Sequence, residues 1–211
     1  MDEKPNLEPR KSSGLPATHI YNARSLADHP KVFELVHIAI VNWYLLDRED
    51  LPVRGAIAIT GANGAGKSSI QDGILAVISA LDESKMDFNA LARGGASKAL
   101  GGRSVKDYAL GKLDDYGYRR SDEDGTLTRF SLGFKHTVTQ EEVSIGFAIS
   151  TAPGQDKYDI EALFIVKGRV LKTDDFVDDF DEDEYSPVFF QETTDRLQTE
   201  GLQVETYSKH E

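Results

Sequence analysis

Gly61-Ala62-Asn63-Gly64-Ala65-Gly66-Lys67-Ser68-Ser69 is the stretch of this sequence whose residue types and spacing could do chemistry. It satisfies G-x-x-x-x-G-K-[ST] at every fixed position. Glycines let such a loop fold into a nest with its amides pointing inward, and a following helix adds its positive N-terminal end. That combination holds a phosphate chain. Lys67 can reach the β- and γ-phosphates, the catalytic contribution available here, and the Ser68 hydroxyl can ligate Mg²⁺. Asn63, Gly64, Ala65, Gly66 and Ser69 complete the cradle, and the ligand implied is ATP with Mg²⁺.

Such a loop works only between a strand and a helix. Ala56-Ile57-Ala58-Ile59-Thr60 is a short apolar run suited to a buried strand that feeds into the loop. After it, Ile70, Ile74, Val77, Ile78 and Leu81 recur on one face of a helix. Strand, glycine-rich loop and helix follow in the order the motif requires.

The chain has 211 residues, no cysteine and a net charge of −12. Disulfides and thiolate metal sites are excluded. No apolar leader or membrane-length run is visible, so a soluble, cytoplasmic protein is expected. The charge argues against a surface coated for nucleic acid, but the acid is unevenly spread.

Residues 1–30 are polar, with little to bury, and read as a flexible or partner-docking arm; residues 31–211 read as the folded part. Phe33–Val41 is β-branched and nearly continuous, as a mostly buried strand should be. His37 within it reads as a satisfied histidine. Leu45–Leu51 returns toward the strand expected at 56–60. Residues 82–103 are loop-like, and Arg93, Lys98, Arg103, Lys106 and Lys112 form a basic island opposed only by Asp107. That island is the candidate surface for a DNA backbone. Ser104 caps a short helix ended by Gly111.

Thr126–His136, Glu142–Ser150 and Tyr158–Lys167 read as successive strands, the last after a Pro153-Gly154 turn. In the first, Leu127, Arg129 and Ser131 alternate with Thr128, Phe130 and Leu132. In the second, Val143, Ile145, Phe147 and Ile149 share a face. Lys167-Gly168 reads as a tight turn into Arg169-Val170-Leu171. Strands in succession predict an antiparallel layer beside the α/β unit of the phosphate loop. The acidic tract 174–184 reads as a solvated helix end and linker, Pro187–Thr199 as a helix and Leu202–Tyr207 as a short strand.

Taken together, Asn42-Trp43, the loop Gly61–Ser69 and Asp72 resemble the N-terminal head half of SMC and Rad50-type ATPases. The tracts Phe88-Asn89-Ala90 and Arg103–Gly111 resemble the MukB-like branch, in particular the JetC (EptC) family of Wadjet plasmid-defence systems. Phe164–Val170 is similar to the strand–turn–strand of SMC heads. The resemblance implies an α/β P-loop NTPase fold of ABC/SMC type, here its N-terminal lobe. It implies a C-terminal head half carrying signature and Walker B residues, and a second head in an ATP sandwich. It also implies kleisin, KITE-type and nuclease partners, DNA as the object of the work, no membrane, and a bacterial location on nucleoid or plasmid.

The sequence stops before any coiled coil, and no Leu-Ser-Gly-Gly-type signature is present. Ala76–Glu83 ends an apolar run in two acids as Walker B does, but it belongs to the loop's helix and is rejected. The expectation is half of a composite site, inactive as an ATPase until completed. Gln191 falls in about the order of the Mg²⁺-contacting Q-loop glutamine of such heads, and Arg93 near their phosphate- or DNA-contacting arginine. Two other readings remain: a small nucleoside or nucleotide kinase, and a non-hydrolysing nucleotide-binding scaffold.

Overall fold

The computed structural model describes residues 32–55, 58–60, 66–86, 88, 103–114, 117–120, 125–181 and 184–208. The expected arm at 1–30 lies outside them. Strand β1 (Phe33–Trp43) turns back through Tyr44-Leu45 into β2 (Leu46–Pro52). Helix α1 (Lys67–Ile78) and the short α2 (Val105–Leu110) follow, then a small pair, β3 (Lys112–Asp114) and β4 (Gly117–Tyr118). Next come β5 (Thr126–His136), β6 (Glu142–Thr151) and β7 (Asp159–Lys167). A 3₁₀ turn (Thr173–Asp175) leads into the hairpin β8 (Val177–Asp181) and β9 (Glu184–Pro187). Helix α3 (Phe190–Thr199) and β10 (Gln203–Tyr207) end the described part.

The framework is one six-stranded sheet in the order β10-β7-β6-β5-β1-β2, and every pairing in it is antiparallel. Period-2 alternation gives it two apolar faces. Ile38, Ile40, Phe130, Leu132, Phe147 and Ile149 face α1 and α2. Ala39, Val41, Ala148, Ala162, Phe164 and Val166 face α3 and the β8–β9 segment. The two helical layers therefore lie on opposite sides of the sheet.

The strands expected at 126–136, 142–150 and 158–167 are present, as are the Ser104-capped helix and the terminal strand. Several expectations are corrected. Residues 58–60 form no strand; Ala58 and Thr60 are exposed, and 56–57 lie outside the described residues. No described strand pairs with this segment, and an extended segment without a neighbour has no ladder to hold it. The expected antiparallel layer is the six-stranded sheet, and among the described residues α1 packs on it directly.

The helix face holds for Ile70, Ile74, Val77 and Leu81, which lie in or against the core, and departs at Ile78. Ile78 is 70 % exposed, while Ser69, Ile70, Asp72, Gly73 and Ala76 are buried. Close approach explains it: a Cβ added at Gly73 would lie 2.0 Å from the Phe130 ring. Small residues must face the sheet there, and Ile78 turns to solvent. α1 ends at Ile78, and the chain folds back so that Leu81 reaches the core.

No strand follows the turn at Gly168; residues 169–172 run directly to the 3₁₀ turn. The acidic tract is the β8–β9 hairpin with its preceding turn, not a helix end and linker. Its charges are matched from elsewhere: Asp174 and Asp179 by Arg48, Asp178 by Arg196, Asp175 by Arg169. Pro187 closes β9, so α3 begins only at Phe190.

Candidate phosphate-binding site

The described part of the site is the start of α1. Gly66 precedes the helix at φ 85°, ψ 2°, a left-handed conformation that a Cβ disfavours, and a Cβ there would also press on Leu46 at 3.2 Å. No side chain caps α1, and its first turn holds no acid. The N-terminal amides and the positive end of the helix dipole therefore meet no side-chain acceptor of the helix itself. Lys67 is half-buried and Ser68 exposed, both in this turn. An anion with Mg²⁺ fits that donor set, since Mg²⁺ is commonly held by few protein oxygens together with substrate phosphates. Ser69 faces inward. Asn63, Gly64 and Ala65 lie outside the described residues.

The turn is gripped from the side. The indole Nε1 of Trp43 donates to the carbonyl of Ser69 at 2.7 Å. The Tyr108 hydroxyl, from α2, donates to the Asp72 carboxylate. Burial, with the Asp72 charge beside it, pushes the Tyr108 phenol well above its ordinary value, so it remains a donor. Trp43 stacks on Tyr108 with centroids 4.8 Å apart and rings 16° from parallel, and Phe88, Phe130 and Phe147 pack around its ring.

The β1–β2 turn beside them carries positive φ at Asn42 and Tyr44 (55° and 54°), uncommon for residues other than glycine. Arg120 holds it. Its guanidinium donates to the carbonyls of Tyr44 (2.7 Å) and Leu46 (2.9 Å), to Asn42 Oδ1 (3.1 Å) and to Asp47 (2.6 Å). Sequence reading missed Arg120 and Tyr108 as parts of the site. Their only signal was an arginine pair and a capped helix, neither near the loop in sequence.

The basic island is partly placed. Arg103 lies over the Tyr44 ring at 4.2 Å and donates to its hydroxyl at 2.6 Å. Lys106 donates to the Gln155 carbonyl, and Lys112 is 3.9 Å from Asp107. Arg93 and Lys98 lie outside the described residues. Gln191 is exposed in the first turn of α3 and donates to Asp195 at 2.9 Å. α3 packs on the sheet face opposite α1, so Gln191 and Ser68 are not brought together. His37 is satisfied as expected, 2.7 Å from Asp50.

A groove of about 510 Å³ lies at the far end of α1, lined by Val77, Ala80, Ile145, Leu163 and Ile165. Ten residues of helix, roughly 15 Å, separate it from Lys67. It is no part of this site. Among the described residues no group of three or more His, Asp or Glu side chains could hold a metal ion, and no helix is long and apolar enough to cross a membrane.

No curated protein matches the chain. A family model described as the P-loop containing region of AAA domain matches residues 35–95, from β1 through the loop and α1 and beyond. Over that stretch the chain is similar to an AAA-type P-loop region, in keeping with nucleotide binding.

Proposed function

We propose that this chain binds Mg²⁺·ATP at the start of α1 and works as one half of a composite ATPase head in an SMC-like, DNA-handling machine. The nucleotide reading is carried by one observation: a complete G-x-x-x-x-G-K-S motif whose last glycine, left-handed, opens a helix without a side-chain cap. Lys67 neutralises the β- and γ-phosphates, and Ser68 supplies an oxygen to Mg²⁺. The bound nucleotide supplies the phosphoanhydride to be cleaved. The machine-level reading rests on the resemblance of residues 33–207 to MukB-like heads of the Wadjet type. By that reading a C-terminal head half, a second head, and kleisin, KITE-type and nuclease subunits complete the assembly. Arg93, Lys98, Arg103 and Lys106 contact DNA backbone when heads close over ATP. An all-antiparallel main sheet supports this over a nucleotide kinase, which would continue as alternating β and α units.

Calorimetry tests the binding step on the 211-residue chain. Mg²⁺·ATP binds wild type, and Lys67→Ala loses binding by at least about a hundredfold, the loss of a charge-assisted phosphate contact in a preorganised site. Equal affinities in the two proteins would sink the reading. Phosphate release by this chain alone stays at background, because no Walker B acid or signature is present to complete the site.

A further inference from the structure

Lys67 and Ser68 are placed by whatever places the first turn of α1. No cap does so, since Gly66 has no side chain to offer. Two side chains from elsewhere do reach this helix: Trp43 at the Ser69 carbonyl (2.7 Å) and Tyr108 at the Asp72 carboxylate. Ser69 and Asp72 are three residues apart, on one face, so the two bonds grip α1 along a single line. All three side chains are buried: Trp43 is 0 %, Tyr108 1 % and Asp72 7 % exposed. Water cannot substitute for either partner. The stacked rings of Trp43 and Tyr108 make the two donors one rigid unit.

The unit continues away from α1. The Tyr44 amide donates to the Tyr108 carbonyl at 2.6 Å, and the two rings lie 5.6 Å apart. Arg103 rests on the outer side of Tyr44, 4.2 Å from its centroid. An unbroken set of contacts thus runs from the turn bearing Lys67 and Ser68 to a cation of the basic island.

We propose that Trp43 and Tyr108 are positioning residues for the phosphate-binding turn: without touching nucleotide, they set the placement of Lys67 and Ser68 through Ser69 and Asp72 and link it to Arg103. This rests on the nucleotide reading above. Removing the phenol hydroxyl takes that donor from the buried Asp72 carboxylate, and the bond that ties α1 to α2 at this point is lost. The geometry offered to phosphates then degrades although no ligand contact is lost. Asp72→Asn keeps a side-chain oxygen that accepts from Tyr108, so it holds the turn nearly as before.

Trp43 is the only tryptophan in the chain. Its emission therefore reports this turn directly, because its N–H is bonded to it. The test titrates the full 211-residue chain with Mg²⁺·ADP, by calorimetry and by tryptophan emission, in wild type, Tyr108→Phe, Asp72→Asn and the exposed-site control Tyr207→Phe. Circular dichroism confirms that each variant is folded at the titration temperature. The expected result is a dissociation constant raised about tenfold in Tyr108→Phe and changed less than about threefold in Asp72→Asn and Tyr207→Phe. Wild-type emission should shift on saturation. A purely structural role for Tyr108 would lower the melting temperature and leave the affinity of the folded protein unchanged; that outcome overturns the proposal. So does a wild-type emission that stays constant while calorimetry shows ADP bound, a readout independent of whether Tyr108→Phe folds. Wild type that binds no nucleotide overturns the nucleotide reading and this inference together; wild-type binding with an unaltered Tyr108→Phe affinity overturns this inference alone.

Discussion

The two faces of the sheet are held by different physics. On the α1 side the packing is aromatic: Trp43, Phe88, Tyr108, Phe130 and Phe147 pack ring against ring, with Asp72 the buried charge bonded among them. On the α3 side charged groups cross the layer. Arg129, 0 % exposed, bonds both oxygens of Glu161 (3.1 and 3.0 Å) and the Val188 carbonyl (2.6 Å), while Glu161 also accepts from the Phe190 amide. Arg48, Arg169 and Arg196 tie the acidic hairpin and α3 to the sheet. Rings accept offset-stacked or edge-to-face arrangements, so on this side the Trp43 and Tyr108 hydrogen bonds to α1, rather than ring contact alone, limit adjustment. A forked guanidinium–carboxylate pair permits almost none. The face that carries α1 rests on rings and two hydrogen bonds, and the opposite face on forked ion pairs.

The largest break is expected at Arg129. Arg129→Ala strips the partly buried Glu161 of its charge partner and should cost about 3–5 kcal/mol. Urea unfolding measures that cost. Mg²⁺·ATP affinity, measured under conditions where the variant is still folded, should stay within about twofold, because the loss lies across the sheet from α1. An affinity that falls in step with stability would mean that the two faces are not separable.

Sequence alone carried more of one face than of the other. β5, β6 and β7 were legible because their alternation is regular and a Pro-Gly turn punctuates it. α2 was legible because Ser104, Asp107 and Gly111 stand at capping positions, and the Ser104–Asp107 capping box forms. The phosphate loop was legible because its glycines and Lys67-Ser68 are fixed in spacing. The acidic tract was misread for a physical reason. Composition there says solvated, but the cation that neutralises Asp174 and Asp179 is Arg48, 126 and 131 residues away. The Arg129–Glu161 pair was invisible likewise, its members being 32 residues apart on neither a helical nor a hairpin register. The exposure of Ile78 has another cause. Apolar periodicity chose Ile78, whereas contact distance chose Gly73 and Ala76.

That last point gives the next test, of intermediate size. Gly73→Ala would normally favour a helix by about 1 kcal/mol. Here the new Cβ would sit 2.0 Å from Phe130 Cε2, within a ring already packed against Trp43 and Phe147. Helix and sheet must separate, and the net change should be a loss of about 1–3 kcal/mol by urea unfolding. Mg²⁺·ATP affinity should fall as well, since α1 itself moves. Ile78→Gln, at the exposed position, should stay within about 0.5 kcal/mol of wild type. A stabilised Gly73→Ala would show that the aromatic face adjusts more freely than argued above.

The smallest effect belongs to the opposite face and depends on pH. Asp50 sits at its edge, partly exposed. Burial raises its carboxyl's pKa, but bonds from the Thr173 hydroxyl (2.5 Å) and amide (3.2 Å) and from His37 (2.7 Å) outweigh that and hold it below the usual carboxylate value. A carboxyl depressed in the folded state contributes stability that is present above its unfolded pKa, about 3.9, and is lost as pH falls through the folded one. Asp175 works in the opposite sense: burial raises its carboxyl, so its cost at neutral pH is relieved on acidification. Asp50→Asn keeps an acceptor for Thr173 but gives up the charge. At an exposed edge screened by water its cost at pH 7 should be only about 1 kcal/mol. Its signature is the slope. Urea stability measured from pH 7 down to pH 3 should fall less steeply in Asp50→Asn than in wild type, the two curves converging toward the acid end. Parallel curves would show that the Thr173–Asp50–His37 strap does not depend on the carboxylate charge, and that directional charge on this side of the sheet ends with the arginine pairs.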